Sequence, residues 1–211
     1  QIKKNDKERI MSKCKNISVI DKKSLSETFE NTRLDTTETK EMMKLGKKYC
    51  LEFEKVLKEN SNLYLFGETG VGKSYLSNCI YNYLSKKHTV LMINMPLYLL
   101  NLSKGYSDGE TRETEILRVL ENVDLLVIDD LAREKINEWT LEKTMNIIEK
   151  RIGMLKPILI NSNYSIDNLK DKYSKFDEFD RLADRIKGAC LDVEYKGISK
   201  RNNEISNSWL V

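Results

Sequence analysis

The sequence predicts an α/β fold in which a five-stranded parallel sheet is covered by helices on both faces. Segments with helical periodicity separate five short runs of strand length, at residues 63–66, 90–93, 124–128, 157–160 and 191–195. The run at 124–128 is apolar almost throughout, as expected of a parallel strand that is buried on both faces. Alternation of strands and helices favours parallel, doubly wound connections over hairpins.

The bulk composition is that of one domain with an ample core. The chain has 211 residues, and its 36 basic and 33 acidic side chains nearly cancel, so its overall charge does not indicate a nucleic-acid partner. The 4 cysteines include no CxxC pair and there is 1 histidine, so neither a disulfide framework nor a zinc site is expected. This cysteine usage fits a reducing cytoplasm, and the sequence shows no run of membrane-spanning length and no signal-peptide pattern.

The first 60 residues are predicted to contain a basic leader and a long helix. Residues 1–23 carry 8 basic and 3 acidic side chains, which favours a solvated leader, with a nucleic-acid or linker segment as the alternative. From about residue 37 to residue 59, apolar residues recur at spacings of three and four. That period predicts a single amphipathic helix before the first strand.

A glycine-rich loop joins the first strand to the next helix. Residues 67–74, GETGVGKS, match GxxxxGK[ST], the P-loop pattern that cradles phosphates. The glycines allow the backbone N–H groups to turn toward an anion, and the helix that follows adds its positive end. Lys73 is expected to reach the β- and γ-phosphates of ATP, and Ser74 to ligate Mg²⁺. The rest of the predicted nucleotide-contacting set is Gly67, Glu68, Thr69, Gly70, Val71, Gly72 and Tyr75.

Helices and strands are predicted to alternate after the P-loop. The P-loop helix should run to about residue 87, and Pro96 suits the start of a short helix at 97–102. A loop at 103–110 and a helix at 111–121 precede the third strand. Further helices are predicted at 138–151 and within 165–187.

Polar side chains end the third and fourth predicted strands. The third strand, LLVIDD, ends in two carboxylates at the sheet edge where nucleotides bind. Asp129 is expected to hold Mg²⁺, mostly through water, and Asp130 to polarise the water that attacks the γ-phosphate. Asn163, just past the fourth strand, is expected to orient that water or contact the γ-phosphate. The alternative for all three is an ordinary polar start to a loop.

Taken together, the motifs resemble those of a known family. GETGVGKS, LLVIDD, a strand ending in SNY and the segment FDEFDRLADRI resemble the AAA+ ATPases. Within that group they are most similar to the DnaC/DnaI-type bacterial helicase loaders and the related IstB-type transposition ATPases. The resemblance implies an ATPase domain at residues 25–201 with little or no separate lid domain. It also implies a leader at 1–24, left after a missing N-terminal helicase-binding domain, and a tail at 202–211.

The resemblance assigns roles to residues beyond the P-loop and the acids. Asn163 takes the sensor 1 position, and Arg185 takes the position of an arginine finger that enters the neighbouring subunit's nucleotide site. Arg181 is the rival for that role, and a surface ion pair with a nearby aspartate is the alternative for both arginines. Phe29 resembles an adenine-pocket residue, with ordinary core as the alternative. Arg201, in GISKR, resembles a second phosphate-sensing arginine or is a basic tail residue.

Two further features bear on activity. In the loaders, the region between the second and third strands touches single-stranded DNA, and here Lys104 and Tyr106 offer a cation and a stacking ring. Routine exposed loop residues are the alternative. Many AAA+ ATPases have Asp-Glu where this chain has Asp-Asp, so the shorter Asp130 predicts slow hydrolysis.

The favoured hypothesis is an ATP-dependent loader that delivers a replicative DNA helicase onto single-stranded DNA. The resemblance implies ATP hydrolysis at the protomer interfaces of a homo-oligomer, with no membrane partner. An IstB-like ATPase that assists a transposase is the alternative, and the ATPase core does not separate the two. A nucleotide-binding adaptor that scarcely hydrolyses ATP and a small-molecule kinase are further alternatives. The paired acids and the arginine suit hydrolysis better than transfer to a metabolite.

Overall fold

In a computed structural model of the protein, five parallel strands form one sheet. The structure describes residues 22–104, 117–197 and 199, together with residues 9, 10, 12 and 14. The strands are β1 (Asn62–Phe66), β2 (Val90–Asn94), β3 (Leu125–Leu131), β4 (Ile158–Ser162) and β5 (Cys190–Glu194). Their order across the sheet is β2-β3-β4-β1-β5, and every neighbouring pair is parallel. The predicted α/β fold with a five-stranded parallel sheet is confirmed.

Helices connect the strands in the described part of the chain. Residues 117–122, immediately before β3, are also helical. The named helices are α1 (Lys22–Ser26), α2 (Thr37–Leu51), α3 (Phe53–Glu59), α4 (Lys73–Leu84), α5 (Met95–Lys104), α6 (Glu138–Gly153), α7 (Ile166–Tyr173) and α8 (Arg181–Ala189).

The apolar runs become strands because both faces of the sheet are covered. Successive side chains of a strand point to opposite faces. In β3, Leu126 and Ile128 join one buried cluster, while Leu125 and Val127 join the other. β5 lies at the edge of the sheet, and Leu191 remains exposed. The alternating pattern therefore reflects the partly exposed edge strand β5, whereas β2, at the other edge, is buried and keeps a continuous apolar run.

The predicted single helix at 37–59 is wrong, because the chain bends at Glu52. There φ is −97° and ψ is 21°, and the Glu52 N–H donates to the carbonyl of Lys48. The bend keeps Phe53 and Val56 in the core. A hydrophobic period of three and four continues across the bend, so periodicity alone does not reveal it.

Other boundaries shift by a few residues. The helix after the P-loop ends at Leu84, whose carbonyl accepts the N–H groups of Lys87 and His88. The helix predicted at 97–102 begins earlier, so Pro96 lies in its first turn, where its missing N–H costs nothing.

Several predictions fall outside the described residues. These are most of the loop at 103–110, residues 111–116 of the next helix, and the tail from 202. The division into leader, ATPase domain and tail stays a prediction. In the described ranges, no helix is long and apolar enough to cross a membrane.

Candidate nucleotide-binding site

The sheet order brings the predicted motifs to one edge. β4 lies between β1 and β3, and all three run parallel, so their carboxyl ends are neighbours. The P-loop leaves β1, the two acids end β3, and two asparagines end β4. Ligands of open α/β sheets bind at this edge.

The P-loop needs glycine for its backbone conformation and for close contact with a neighbouring segment. Gly70 and Gly72 adopt φ values of +88° and +116°, which favour glycine over residues with a side chain. A Cβ atom at Gly70 would also collide with the hydroxyl of Ser199, and one at Gly67 with the carbonyl oxygen of Tyr195. The segment after β5 thus packs directly against the P-loop. Sequence reasoning singled out GISKR but did not predict this contact.

Lys73 lies at the centre of the site. Its side chain is buried, and its Nζ donates to the carbonyls of Gly67 and Glu68 at 2.7 and 2.9 Å. It also donates to Asn163 Oδ1 at 2.9 Å, across 90 residues of sequence. The structure thus brings Lys73 and Asn163 together. A phosphate oxygen carries a negative charge and is a stronger acceptor than these neutral oxygens.

Ser74 and Asp129 form the oxygen-rich part of the site. Ser74 Oγ donates to Asp129 Oδ1 at 2.9 Å. Burial raises the pKa of the Asp129 carboxyl; hydrogen bonds from Asn161 and Ser74 lower it, while the charge of Asp130 raises it. The net direction is upward.

The oxygen donors at this position suit Mg²⁺. A hydroxyl and a carboxylate are hard ligands, and Mg²⁺ commonly binds one or two carboxylates together with substrate phosphates. Among the described residues, no group of three or more His, Cys, Asp or Glu side chains could hold a metal alone. Ser74 and Asp129 therefore fit a cation that is shared with a nucleotide.

Asn161 is a site residue that sequence reasoning missed. Its side chain is 1% exposed, and its Nδ2 donates to Asp129 Oδ1 at 2.8 Å. It precedes Asn163 by two residues in ILINSN, the spacing that places two side chains on one face of a strand. A buried amide in an otherwise apolar strand was the available signal.

Asp130 makes a different set of contacts from Asp129. Its φ is +59°, and the pairing of β3 with β4 shifts register between Ile128 and Leu131. Asp130 Oδ2 accepts from Asn94 Nδ2 on β2 at 3.1 Å and from Arg133 Nη1 at 2.8 Å. These two partners were not predicted. A role for Asp130 in polarising water stays a prediction.

The two candidate finger arginines lie on α8 and are both exposed. Arg181 Nε pairs with Asp177 Oδ1 at 3.2 Å, which is one of the ion pairs expected as the alternative. Arg185 Nη2 instead lies 3.5 Å from Glu149 Oε1 on α6, an acid that was not expected. Both arginines and Glu149 line one surface pocket. Phe179 also lines this pocket and is 73% exposed. The finger assignment stays a prediction.

Phe29 is a core residue in this structure. It is buried, and its ring packs edge-on against Tyr83, with centroids 6.3 Å apart. It also lies against Gly46, where a Cβ atom would come within 3.2 Å of the Phe29 ring. Contact with adenine stays a prediction. Tyr106, Arg201 and the side chain of Lys104 lie outside the described residues.

Comparisons with known proteins agree with this geometry. The replicative helicase loader DnaI of Bacillus subtilis (strain 168) is 26% identical over 153 residues, which are 68% of this chain and 49% of DnaI. The putative insertion sequence ATP-binding protein y4pL of Sinorhizobium fredii (strain NBRC 101917 / NGR234) is 27% identical over 146 residues, 69% of this chain and 58% of y4pL. The chain thus spans about half the length of the curated relatives it matches.

The fold has solved counterparts as well. The crystal structure of a DnaI superposes with a TM-score of 0.70 at 23% identity, covering 84% of this chain and 95% of that one. The fold is therefore that of the AAA+ domains of such proteins. A family model described as IstB-like ATP binding protein matches residues 2–208. Because that match spans nearly the whole chain, the protein belongs to the IstB-like ATP-binding family.

Proposed function

We propose that this protein is an ATPase that delivers a replicative DNA helicase onto single-stranded DNA. The observation that carries the proposal is the hydrogen-bonded cluster at one sheet edge, in which Lys73 meets Asn163 and Ser74 meets Asp129. A lysine for phosphate and an acid for a cation are the parts that P-loop ATPases use. The similarity to the helicase loader DnaI supports the choice of partner.

Within the site, each side chain has a separate task. Lys73 exchanges its neutral acceptors for phosphate oxygens, while Ser74 and Asp129 hold Mg²⁺. When bound, the cation neutralises charge that develops on the phosphate oxygens. Asp130 polarises the attacking water after leaving its contacts with Arg133 or Asn94, and Asn163 orients that water.

The site is completed in an assembly by Arg185 from a neighbouring copy. The Arg185 contact with Glu149 is long and solvent-exposed, so breaking it costs little. A guanidinium supplied in trans stabilises charge on the transferring phosphoryl group. Hydrolysis then depends on assembly, and the γ-phosphate favours one assembly state over another. Lys104 and Tyr106 are proposed to contact the DNA.

A second candidate function is assistance to a transposase. The match to the IstB-like family and the similarity to the insertion sequence protein y4pL favour it specifically. Both functions use the same ATPase core, so the partner distinguishes them.

The test is capture of the host's replicative helicase by the full-length gene product, with ATP turnover measured in the same samples. We expect ATP-dependent helicase retention, and turnover that rises when helicase and single-stranded DNA are present. Retention of a co-encoded transposase in place of the helicase would support the second function. If the protein retains neither partner and shows no ATP turnover, both proposed functions are contradicted.

Two matched variants in the same assay test the finger. Arg185→Ala should leave ATP binding intact and lower the assembly-stimulated turnover by about 10³-fold or more. Arg181→Ala removes an exposed arginine one helical turn away, which already pairs with the buried Asp177 of its own chain, and should leave turnover nearly unchanged. The reverse ranking would assign the finger to Arg181. If the two variants lower turnover equally and only slightly, neither arginine acts as an arginine finger.

A further inference from the structure

Asn161 is a buried amide placed beside the predicted magnesium ligand. Ile128 of β3 pairs with Ile160 of β4 and Leu131 with Ser162, so Asp129 and Asn161 lie in the register shift between these two pairs. Their side chains are both buried, with exposed fractions of 8% and 1%. A buried polar group in the middle of a sheet needs a partner, because leaving it unpaired costs free energy.

The hydrogen bonds of Asn161 join the P-loop helix to the carboxylate. Its Nδ2 donates to Asp129 Oδ1 at 2.8 Å and lies 2.9 Å from Ser77 Oγ on α4. Ser77 Oγ is also 3.1 Å from Asn161 Oδ1, to which it can donate. Ser77 is fully buried, so the amide is anchored by the helix on one side and holds the acid on the other.

The same carboxylate oxygen has a second donor. Ser74 Oγ donates to Asp129 Oδ1 at 2.9 Å, so this oxygen accepts from both sides. These two donors on Oδ1 fix the rotation of the carboxylate group. Neither of them donates to Oδ2. Ser77 pairs with one N–H and the oxygen of the amide, and the second N–H is directed at the acid.

Two amides at the carboxyl end of β4 have opposite tasks, Asn161 within the strand and Asn163 just past it. Asn161 donates to the acid, and Asn163, two residues later, accepts from Lys73 Nζ at 2.9 Å. One short segment, the end of β4 and the residue after it, thus contacts both the carboxylate for a cation and the amine for a phosphate.

We propose that Asn161 is a positioning residue that orients the Asp129 carboxylate for a divalent cation bound together with the nucleotide. The proposal rests on the proposed ATPase function. Partners of metal ligands orient the ligand, and removing one commonly weakens metal binding by about 10–100-fold. Asn161 acts through Asp129 and contacts neither nucleotide nor cation itself.

The test is nucleotide binding by the full chain as a function of Mg²⁺. A fluorescent ATP analogue is titrated at increasing Mg²⁺ and, separately, in EDTA, for the wild type, Asn161→Leu and Ser77→Ala. In Asn161→Leu, the half-saturating Mg²⁺ concentration should rise about tenfold or more, with the EDTA affinity unchanged. Ser77→Ala keeps the Asn161–Asp129 contact but removes the anchor of the amide, so its shift should be smaller than that of Asn161→Leu.

Other outcomes contradict the proposal in distinguishable ways. An unchanged Mg²⁺ requirement in Asn161→Leu, or an equal loss of affinity in EDTA, would assign Asn161 to packing alone. If Asn161→Leu does not fold, as judged by denaturant unfolding, Asn161→Ser is compared in the same way. A wild type that binds no analogue in any condition would overturn the proposed ATPase function and this inference together.

Discussion

The two ends of the sheet each bury charged or polar groups, but they satisfy them differently. At the carboxyl edge, Lys73 and Asp129 find side chains and loop carbonyls as partners. At the opposite edge, where the strands begin, Arg151 of α6 is 1% exposed and donates to backbone carbonyls. The contrast separates a site that can exchange partners from a fixed structural contact.

Arg151 connects the segments that enter two central strands. Its Nη1 donates to the carbonyls of Leu120 and Val123 at 3.0 and 2.8 Å, just before β3. Its Nη2 donates to Asp124 O at 3.3 Å and to Pro157 O, just before β4, at 2.6 Å. Burial lowers the pKa of Arg151 to about 10, so the guanidinium stays charged at neutral pH.

The comparison shows that burial of a charge does not by itself identify a functional site. Backbone carbonyls before two strands cannot leave Arg151 without disrupting the sheet. The partners of Lys73 include the side chain of Asn163, which can rotate when a stronger acceptor arrives. The kind of partner, and not the degree of burial, distinguishes the two edges.

The largest expected effect is on activity at the carboxyl edge. Lys73→Met keeps the apolar stem and removes the charge, so ATP turnover should fall by about 10²–10³-fold or more. The unfolding free energy should change by less than about 1 kcal/mol, because the acceptors it leaves can bind water at the P-loop. Turnover and denaturant unfolding without nucleotide measure the two effects. Near-normal turnover, or a large loss of stability, would mean that the partners of Lys73 are as fixed as those of Arg151.

The converse is expected at the opposite edge. Arg151→Met leaves buried carbonyls without donors, so the unfolding free energy should fall by about 3 kcal/mol. The affinity of the folded fraction for an ATP analogue should be unchanged. Chemical denaturation measures the first quantity, and analogue binding at low temperature measures the second.

Arg151→Lys keeps the charge but donates from one nitrogen, so it provides a milder control. Its loss of stability should lie between those of the wild type and Arg151→Met. A variant at this position that loses nucleotide affinity before it loses stability would show that the two edges are coupled.

The sequence predicts the sheet well and the helix boundaries less well. β1 to β4 are buried, so their apolar runs are unmistakable, and the partly exposed edge strand β5 keeps its alternation. The bend at Glu52 is not predicted because the apolar spacing of three and four continues through it. Arg151 shows a related weakness, since it continues the spacing of Met145 and Ile148 on α6 yet resembles a solvated cation in sequence.

Within the site, contiguous motifs could be predicted and contacts between strands could not. The P-loop, Asp129 and Asn163 are found by pattern and position along the chain. Asn94 and Asn161 acquire their contacts because β2 and β4 flank β3, and motif reading does not specify that order. Strand order is decided by packing of the whole sheet.

The smallest expected effect concerns Arg133, which lies at the carboxyl edge but is exposed like a surface residue. Its ion pair with Asp130 at 2.8 Å is solvent-accessible, so it contributes less than about 1 kcal/mol. Arg133→Ala removes a donor that competes with water for Asp130, and basal turnover should rise by up to about fivefold. Higher salt should raise the turnover of the wild type in the same direction, because it screens an exposed pair.

Lys55→Ala supplies the matched control, since Lys55 forms another exposed pair, with Glu59, on α3. It should leave turnover unchanged. A fall of more than about tenfold in Arg133→Ala would mean that the guanidinium stabilises the reacting phosphate directly, because loss of an exposed ion pair is too weak to account for it. Arg133 would then belong with Lys73 among the groups that exchange partners when the nucleotide binds.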